Sequence, residues 1–254
     1  MSDGLRLHGL GAVVEVRCVG TAGRALESAM RTAWSRCLEV PTTSPVDAQA
    51  LEVRLDDVQD LPQRLMLTTR KVTKHLIAAR AGDLVMFHAG AVSDLATGRS
   101  LVYVARGGTG KTTLSCLLAQ RMGYLTDETV GIDSDGTIHP YPKPLSVRRT
   151  ETPALKDEVS PDALGLLRGA APPRVGRLVL LDRRPGMTSA HLDEVPLLDA
   201  VMTLVEQSSA LTRLPRPLQR LAELIDESGP VIRLRYSEAT HPEESLLALV
   251  QETA

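Results

Sequence analysis

The segment Val102-Tyr103-Val104-Ala105-Arg106-Gly107-Gly108-Thr109-Gly110-Lys111-Thr112-Thr113-Leu114 decides the fold. An apolar run ends, three glycines crowd the turn, and Lys111-Thr112 open a stretch in which Leu114, Leu117 and Leu118 recur at helical spacing. Strand, glycine-rich turn and helix in that order are the setting of a phosphate-binding loop. Gly107, Gly108 and Gly110 let backbone N–H groups face anionic oxygens without side-chain clash, and the helix start adds a partial positive charge. Lys111 has the reach for β and γ phosphates, and the Thr112 hydroxyl suits Mg²⁺. Thr109 and Thr113 complete the expected nucleotide-binding set. A lysine at a helix start opposes the helix dipole unless an anion sits there, so a bound phosphate resolves that conflict. The usual pattern begins with glycine five residues before Gly110, where this chain has Ala105.

Working outward, Gly123-Tyr124-Leu125-Thr126-Asp127-Glu128 is a short apolar strand ending in an acidic pair, sixteen residues past Lys111. Such a pair holds Mg²⁺ or accepts a proton from an attacking hydroxyl, and Asp127 is the leading base candidate. The competing reading is an exposed strand-end turn. Leu178 to Leu181 followed by Asp182 has the form of a second metal-holding strand, and Asp182 is equally suited to an ion pair with Arg183 or Arg184. His88 ends the strand before the loop hairpin and could donate to phosphate or orient a carboxylate. Pro140 to Arg149 carries three prolines and three cations, among them Arg148, in reach of an anionic ligand or simply on a solvated strand. His8, His75, His139, His191 and His241 form no constellation.

The remaining chain sets the frame. With 254 residues and 43 % apolar content it supports a real core, and a net charge of -2 offers no cationic field for nucleic acid. Cys18, Cys37 and Cys116 share no metal-ligand spacing and are odd in number, which fits a reducing, cytoplasmic setting. No apolar run approaches a spanning helix and no leader is read, so no membrane association is expected. Ala12 to Cys18 alternates as a strand, while Arg24 to Leu38 places Leu26, Met30, Ala33, Trp34 and Cys37 at helical spacing. Pro41 to Asp47 reads as a loop, Leu51 to Leu55 as a strand, and Leu65 to Ala79 as a helix. Beyond the hairpin and loop, strands are expected at Val130 to Ile132, Arg177 to Leu181 and Val231 to Arg235. Helices are expected at Val195 to Glu206, Pro217 to Glu227 and Glu243 to Glu252. The alternation favours an α/β chain with a mixed sheet, divided into an N-terminal α/β region (1–82) for recognition and a nucleotide-binding region (83–254).

The order of these motifs resembles the catalytic core of HPr kinase/phosphorylase: Phe87-His88-Ala89-Gly90 on a strand, a hairpin, the glycine-rich loop, then Leu125-Thr126-Asp127-Glu128. The resemblance covers residues 84 to 150. It implies a P-loop core of HPr kinase/phosphoenolpyruvate carboxykinase type that uses ATP and Mg²⁺ to phosphorylate a protein serine. Carried over, Lys111 binds phosphates, Thr112 and Glu128 hold metal, Asp127 deprotonates the acceptor, and His88 lies near the transferred group. Members carry His-Gly, Asp-Asp and a glutamate after the metal-binding hydroxyl, where this chain has His88-Ala89, Asp127-Glu128 and Thr113. No copy of the family's downstream glycine- and arginine-rich signature is found. The chain therefore resembles divergent relatives, including those that modify peptides, more than the regulator of sugar metabolism.

The expectation is an ATP- and Mg²⁺-dependent kinase acting on a hydroxyl of a protein, peptide or small molecule, able to form a homo-oligomer as relatives do. The alternatives are a nucleotide-sensing scaffold without phosphoryl transfer and an interaction module with a degenerate loop.

Overall fold

The computed structural model describes residues 4–38, 48–148, 156–169, 171–240 and 242–251, and divides into two units. The expected loop at 41–47, Arg149, His241 and the end of the last expected helix at Glu252 lie outside the described residues.

The first unit opens with β1 (Leu5–Gly9) and β2 (Ala12–Val19), an antiparallel hairpin. Leu10 and Gly11 both take positive φ there, as a two-residue hairpin turn requires. Helix α1 (Gly23–Ala33) buries Leu26, Met30 and Ala33 and returns the chain to β3 (Gln49–Arg54), which pairs parallel with β2. The expected helix to Leu38 ends at Ala33, and a 3-10 turn at Ser35–Cys37 carries on its apolar face, with Trp34 and Cys37 buried. Helix α2 (Leu61–Ala79) follows, starting one turn before the apolar periodicity because Pro62 suits the first turn of a helix.

The chain then enters the second unit with β4 (Val85–Ser93), β5 (Arg99–Val104), α3 (Lys111–Leu118), β6 (Gly123–Thr126), β7 (Thr129–Ile132) and β8 (Ile138–His139). It returns to the first unit for an antiparallel ribbon, β9 (Leu145–Arg148) and β10 (Lys156–Val159). Residues 141–165 thus cluster with residues 1–80, whereas the sequence division assigned everything after 82 to one region. Tyr141 shows why: its ring lies 6.2 Å from that of Trp34, and its hydroxyl shares a 2.8 Å hydrogen bond with Thr73 of α2. The second unit closes with β11 (Arg174–Arg183), β12 (His191–Glu194), α4 (Leu197–Glu206), β13 (Ser208–Ser209), α5 (Pro217–Ser228), β14 (Ile232–Tyr236) and α6 (Glu243–Gln251). The expected helix from Val195 begins two residues later, after Pro196.

Nine strands form the second unit's mixed sheet, in the order β12-β14-β11-β5-β4-β7-β8, with β6 and β13 also on β4. β11 runs parallel to both β5 and β14, and the other pairs are antiparallel. Both faces are covered, which explains the unbroken apolar run of β5. Val102, Val104, Leu178 and Leu180 share a core with Ala200 and Leu204 of α4 and Leu221 and Leu224 of α5. On the other face Tyr103 meets Ser115 of α3. Leu114 and Leu118 of α3 are buried as expected, together with Lys111 and Ser115, while Leu117 is only partly covered.

One irregularity matters for the site. Ala91 of β4 pairs with Thr126, but the next residue, Val92, pairs with Tyr124, so Leu125 is an extra residue in β6. Such a bulge shifts the alternation of side chains by one position.

Candidate functional site

The loop between β5 and α3 is built by its backbone. Gly108 (φ +85°) and Gly110 (φ +97°) take left-handed conformations that disfavour other residues. Gly107 does not, and a Cβ added there would meet no protein atom within 4 Å. Its glycine thus answers neither strain nor packing, but leaves open space at the loop mouth. Ala105, at the position where glycine is usual, has no positive φ and is buried at the strand end. Alanine is therefore acceptable there. Thr109 Oγ1 donates to the Arg106 carbonyl at 2.9 Å, closing the turn.

Helix α3 begins at Lys111 with Gly110 as its cap and no side-chain cap hydrogen bond, so its first N–H groups are left to the loop mouth. Lys111 is buried, and its ammonium donates to the carbonyls of Ala105 (2.6 Å) and Arg106 (3.0 Å). Burial pulls its pKa down to about 8, against the attraction of Asp127 and then Glu128. Three groups the sequence singled out, Lys111, Asp127 and Glu128, are therefore in electrostatic contact.

Asp127 is 5 % exposed, so the surface-turn alternative is excluded by burial. Its Oδ2 accepts from Thr112 Oγ1 at 2.8 Å and its Oδ1 from the Tyr124 hydroxyl at 3.2 Å. A threonine at a loop-helix start bonded to a buried carboxylate is a donor set suited to Mg²⁺, which takes one or two protein ligands and fills its octahedron from phosphates and water. Among the described residues no cluster of three or more His, Cys, Asp or Glu side chains is placed to hold a metal ion. With the open space at Gly107 and the uncapped helix start, the residues present fit a magnesium-bound phosphate chain.

His88 is held by its ring: Nδ1 lies 3.1 Å from the Glu128 carbonyl, which can only accept, so Nδ1 carries the proton. Burial and then Lys111 lower its pKa, leaving a neutral ring whose Nε2 is an acceptor. Glu128, half-buried, also binds β4 through its carbonyl, which accepts from the Ala89 N–H at 3.1 Å.

The other expected residues are placed differently. Thr113 is exposed on the first turn of α3. Asp182 stands at the end of β11, two residues past the Leu180–Val104 pairing with β5, but its carboxylate pairs with Arg184 at 2.8 Å and lies 3.8 Å from Arg235 of β14. This is the ion-pair alternative, with Arg235 as an added partner that only sheet pairing could supply. Arg148 is exposed on β9 in the other unit, opposite Lys156.

Sequence reading passed over the tyrosines. All four phenols make polar contacts, and three surround the loop: Tyr103 with Ser115 at 2.6 Å, Tyr124 with Asp127, and Tyr236 with the Thr109 carbonyl at 2.8 Å. Gly90 belongs to this framework, since a Cβ there would overlap the Tyr103 ring.

No family model and no curated protein matches the chain. Among solved structures it is similar to the HPr(Ser) kinase/phosphatase from Coxiella burnetii, at 11 % identity and a TM-score of 0.34. That match covers 65 % of this chain and 93 % of the other. At that score the similarity is loose, and function has to be argued from this chain's own residues. No helix among the described residues is long and apolar enough to cross a membrane.

Proposed function

We propose that the chain binds ATP with Mg²⁺ at Gly107–Thr112 and transfers the γ-phosphoryl group to a hydroxyl of a protein, peptide or small molecule. The observation that carries this reading is the Thr112–Asp127 hydrogen bond beside the buried Lys111 ammonium. Lys111 is released from its loop carbonyls onto β and γ oxygens, and the loop N–H groups of Gly107 to Gly110 fix the phosphate chain. Thr112, oriented by its hydrogen bond to Asp127 and with Glu128 adjacent, would hold Mg²⁺, which when bound would neutralise charge on the β and γ oxygens. The acceptor oxygen forms its bond to the γ phosphorus as the bond to the β-bridging oxygen breaks, and Asp127 takes the hydroxyl proton. ADP leaves with the electron pair. Positioning and charge neutralisation supply the rate.

The test is calorimetric titration with ATP, ADP and GTP in Mg²⁺, followed by a transfer assay from γ-labelled ATP to candidate acceptors. Lys111→Ala should abolish micromolar nucleotide binding while the fold is kept, and unchanged binding would sink the assignment.

A sensor that reports nucleotide state without transfer has one observation of its own. Arg106 of the loop pairs at 2.8 Å with Glu206 at the end of α4, whose Leu197, Leu198 and Met202 are exposed. Asp127→Asn separates the two: a kinase keeps ATP and loses transfer, whereas a sensor keeps nucleotide-dependent partner binding.

A further inference from the structure

We infer that Tyr124 is a positioning residue for the metal-facing carboxylate, fixing which oxygen of Asp127 is presented to Thr112. The inference rests on the nucleotide-and-magnesium reading above and assigns a residue that the loop pattern does not include.

Tyr124 is 3 % exposed and Asp127 5 %, so their hydrogen bond is made where water does not compete. A buried tyrosine whose packing phenylalanine could match carries the desolvation of its hydroxyl, and here Asp127 Oδ1 satisfies it. The opposite oxygen, Oδ2, faces Thr112. The carboxylate is thereby gripped from β6 on one side and from α3 on the other, and cannot rotate without losing one bond.

The backbone shows how this is arranged. In a regular strand, residues three apart point to opposite faces. The extra residue at Leu125 reverses that alternation and lets Tyr124 and Asp127 meet. The same side of the sheet brings Tyr103 from β5, bonded to Ser115, as a neighbour of both. The bulge, the phenol and the carboxylate form one device.

Tyr124→Phe keeps the ring and removes only the donor. ADP affinity should then be unchanged within about twofold in EDTA, while the gain in affinity on adding Mg²⁺ falls by about tenfold or more, the scale of a hydrogen bond to a charged group. In the Asp127→Asn background the same change should have no further effect, because Tyr124 acts through that carboxylate. A full magnesium-dependent gain in Tyr124→Phe overturns the inference, as does an equal loss in the Asp127→Asn background. If Tyr124→Phe does not fold, the wild type labelled at tyrosine Cζ gives the answer by NMR. The Tyr124 resonance should move on Asp127→Asn and on adding Mg²⁺ with ADP, and a resonance unmoved by both overturns the inference. Wild-type protein that binds no nucleotide, or binds it without regard to Mg²⁺, overturns the underlying reading and this one with it.

Discussion

Thr112 donates its hydroxyl to Asp127 across 2.8 Å, tying the first turn of the loop helix to the end of β6. Fifteen residues separate the two in sequence, and the sheet brings them together because β5 and β6 both pair with β4. The consequence is a hydroxyl and a carboxylate held together, with the Lys111 ammonium nearby on the carbonyls of Ala105 and Arg106.

Lys111 makes the ligand-free protein sensitive to pH. Its pKa, lowered from 10.5 to about 8 by burial, means that the folded state holds this proton less tightly than the unfolded chain. The cost is fully present below about pH 8 and is relieved as pH rises toward 10.5. Lys111→Met should therefore stabilise the free protein near neutral pH, by at most about 3–4 kcal/mol at roughly 1.4 kcal/mol per pKa unit. The gap between variant and wild type should close at alkaline pH. Denaturation of both proteins across this range is the check, and parallel curves would contradict it.

Gly107 and Gly108 are adjacent but should respond oppositely to alanine. At Gly107 φ is not positive and no protein atom obstructs a Cβ, so Gly107→Ala should leave stability unchanged or raise it by about 0.5 kcal/mol. Its methyl would enter the space assigned to phosphate, and nucleotide affinity should fall more than tenfold. At Gly108 the left-handed backbone makes alanine cost about 1–2 kcal/mol before any ligand is added. Melting and calorimetry on both variants distinguish a cradle for a ligand from a turn needed by the fold.

Asp182→Asn tests the second acidic candidate. Its partners Arg184 and Arg235 are substantially exposed, so losing the charge should change stability by less than about 1 kcal/mol. Magnesium-dependent nucleotide affinity and turnover should match wild type. A tenfold drop in either would return Asp182 to the metal.

What the sequence disclosed follows from the kind of signal each residue left. Gly107 to Thr112 is a local pattern in which every residue answers to its neighbours, and α3 and β5 flank it as its spacing requires. Asp127 could be nominated as an acidic strand end, but its burial depends on β4 and α3 packing around it. The extra partner of Asp182 comes from β14, more than fifty residues further on. Arg148 lies in a proline-rich run whose three cations suit an anionic ligand, whereas Tyr141 and the β9–β10 ribbon carry that stretch into the first unit. Tyr124 was hidden by the rule of alternation itself, which a one-residue bulge reverses without leaving a mark in the composition. The strands β8, β9, β10, β12 and β13 have two to four residues each, too short to establish a period.

The crossing of the chain between units also governs how the protein can be cut. Each unit is assembled from two separate stretches, so no single truncation releases either one whole. A fragment begun at residue 83 retains the ribbon while discarding the helices and strands it belongs with. On a ribosome, the first unit is complete only once residue 165 has been synthesised, after β4 to β8 of the second have already been made. The first unit is therefore complete in sequence before the second, whose β11 to α6 are still to come.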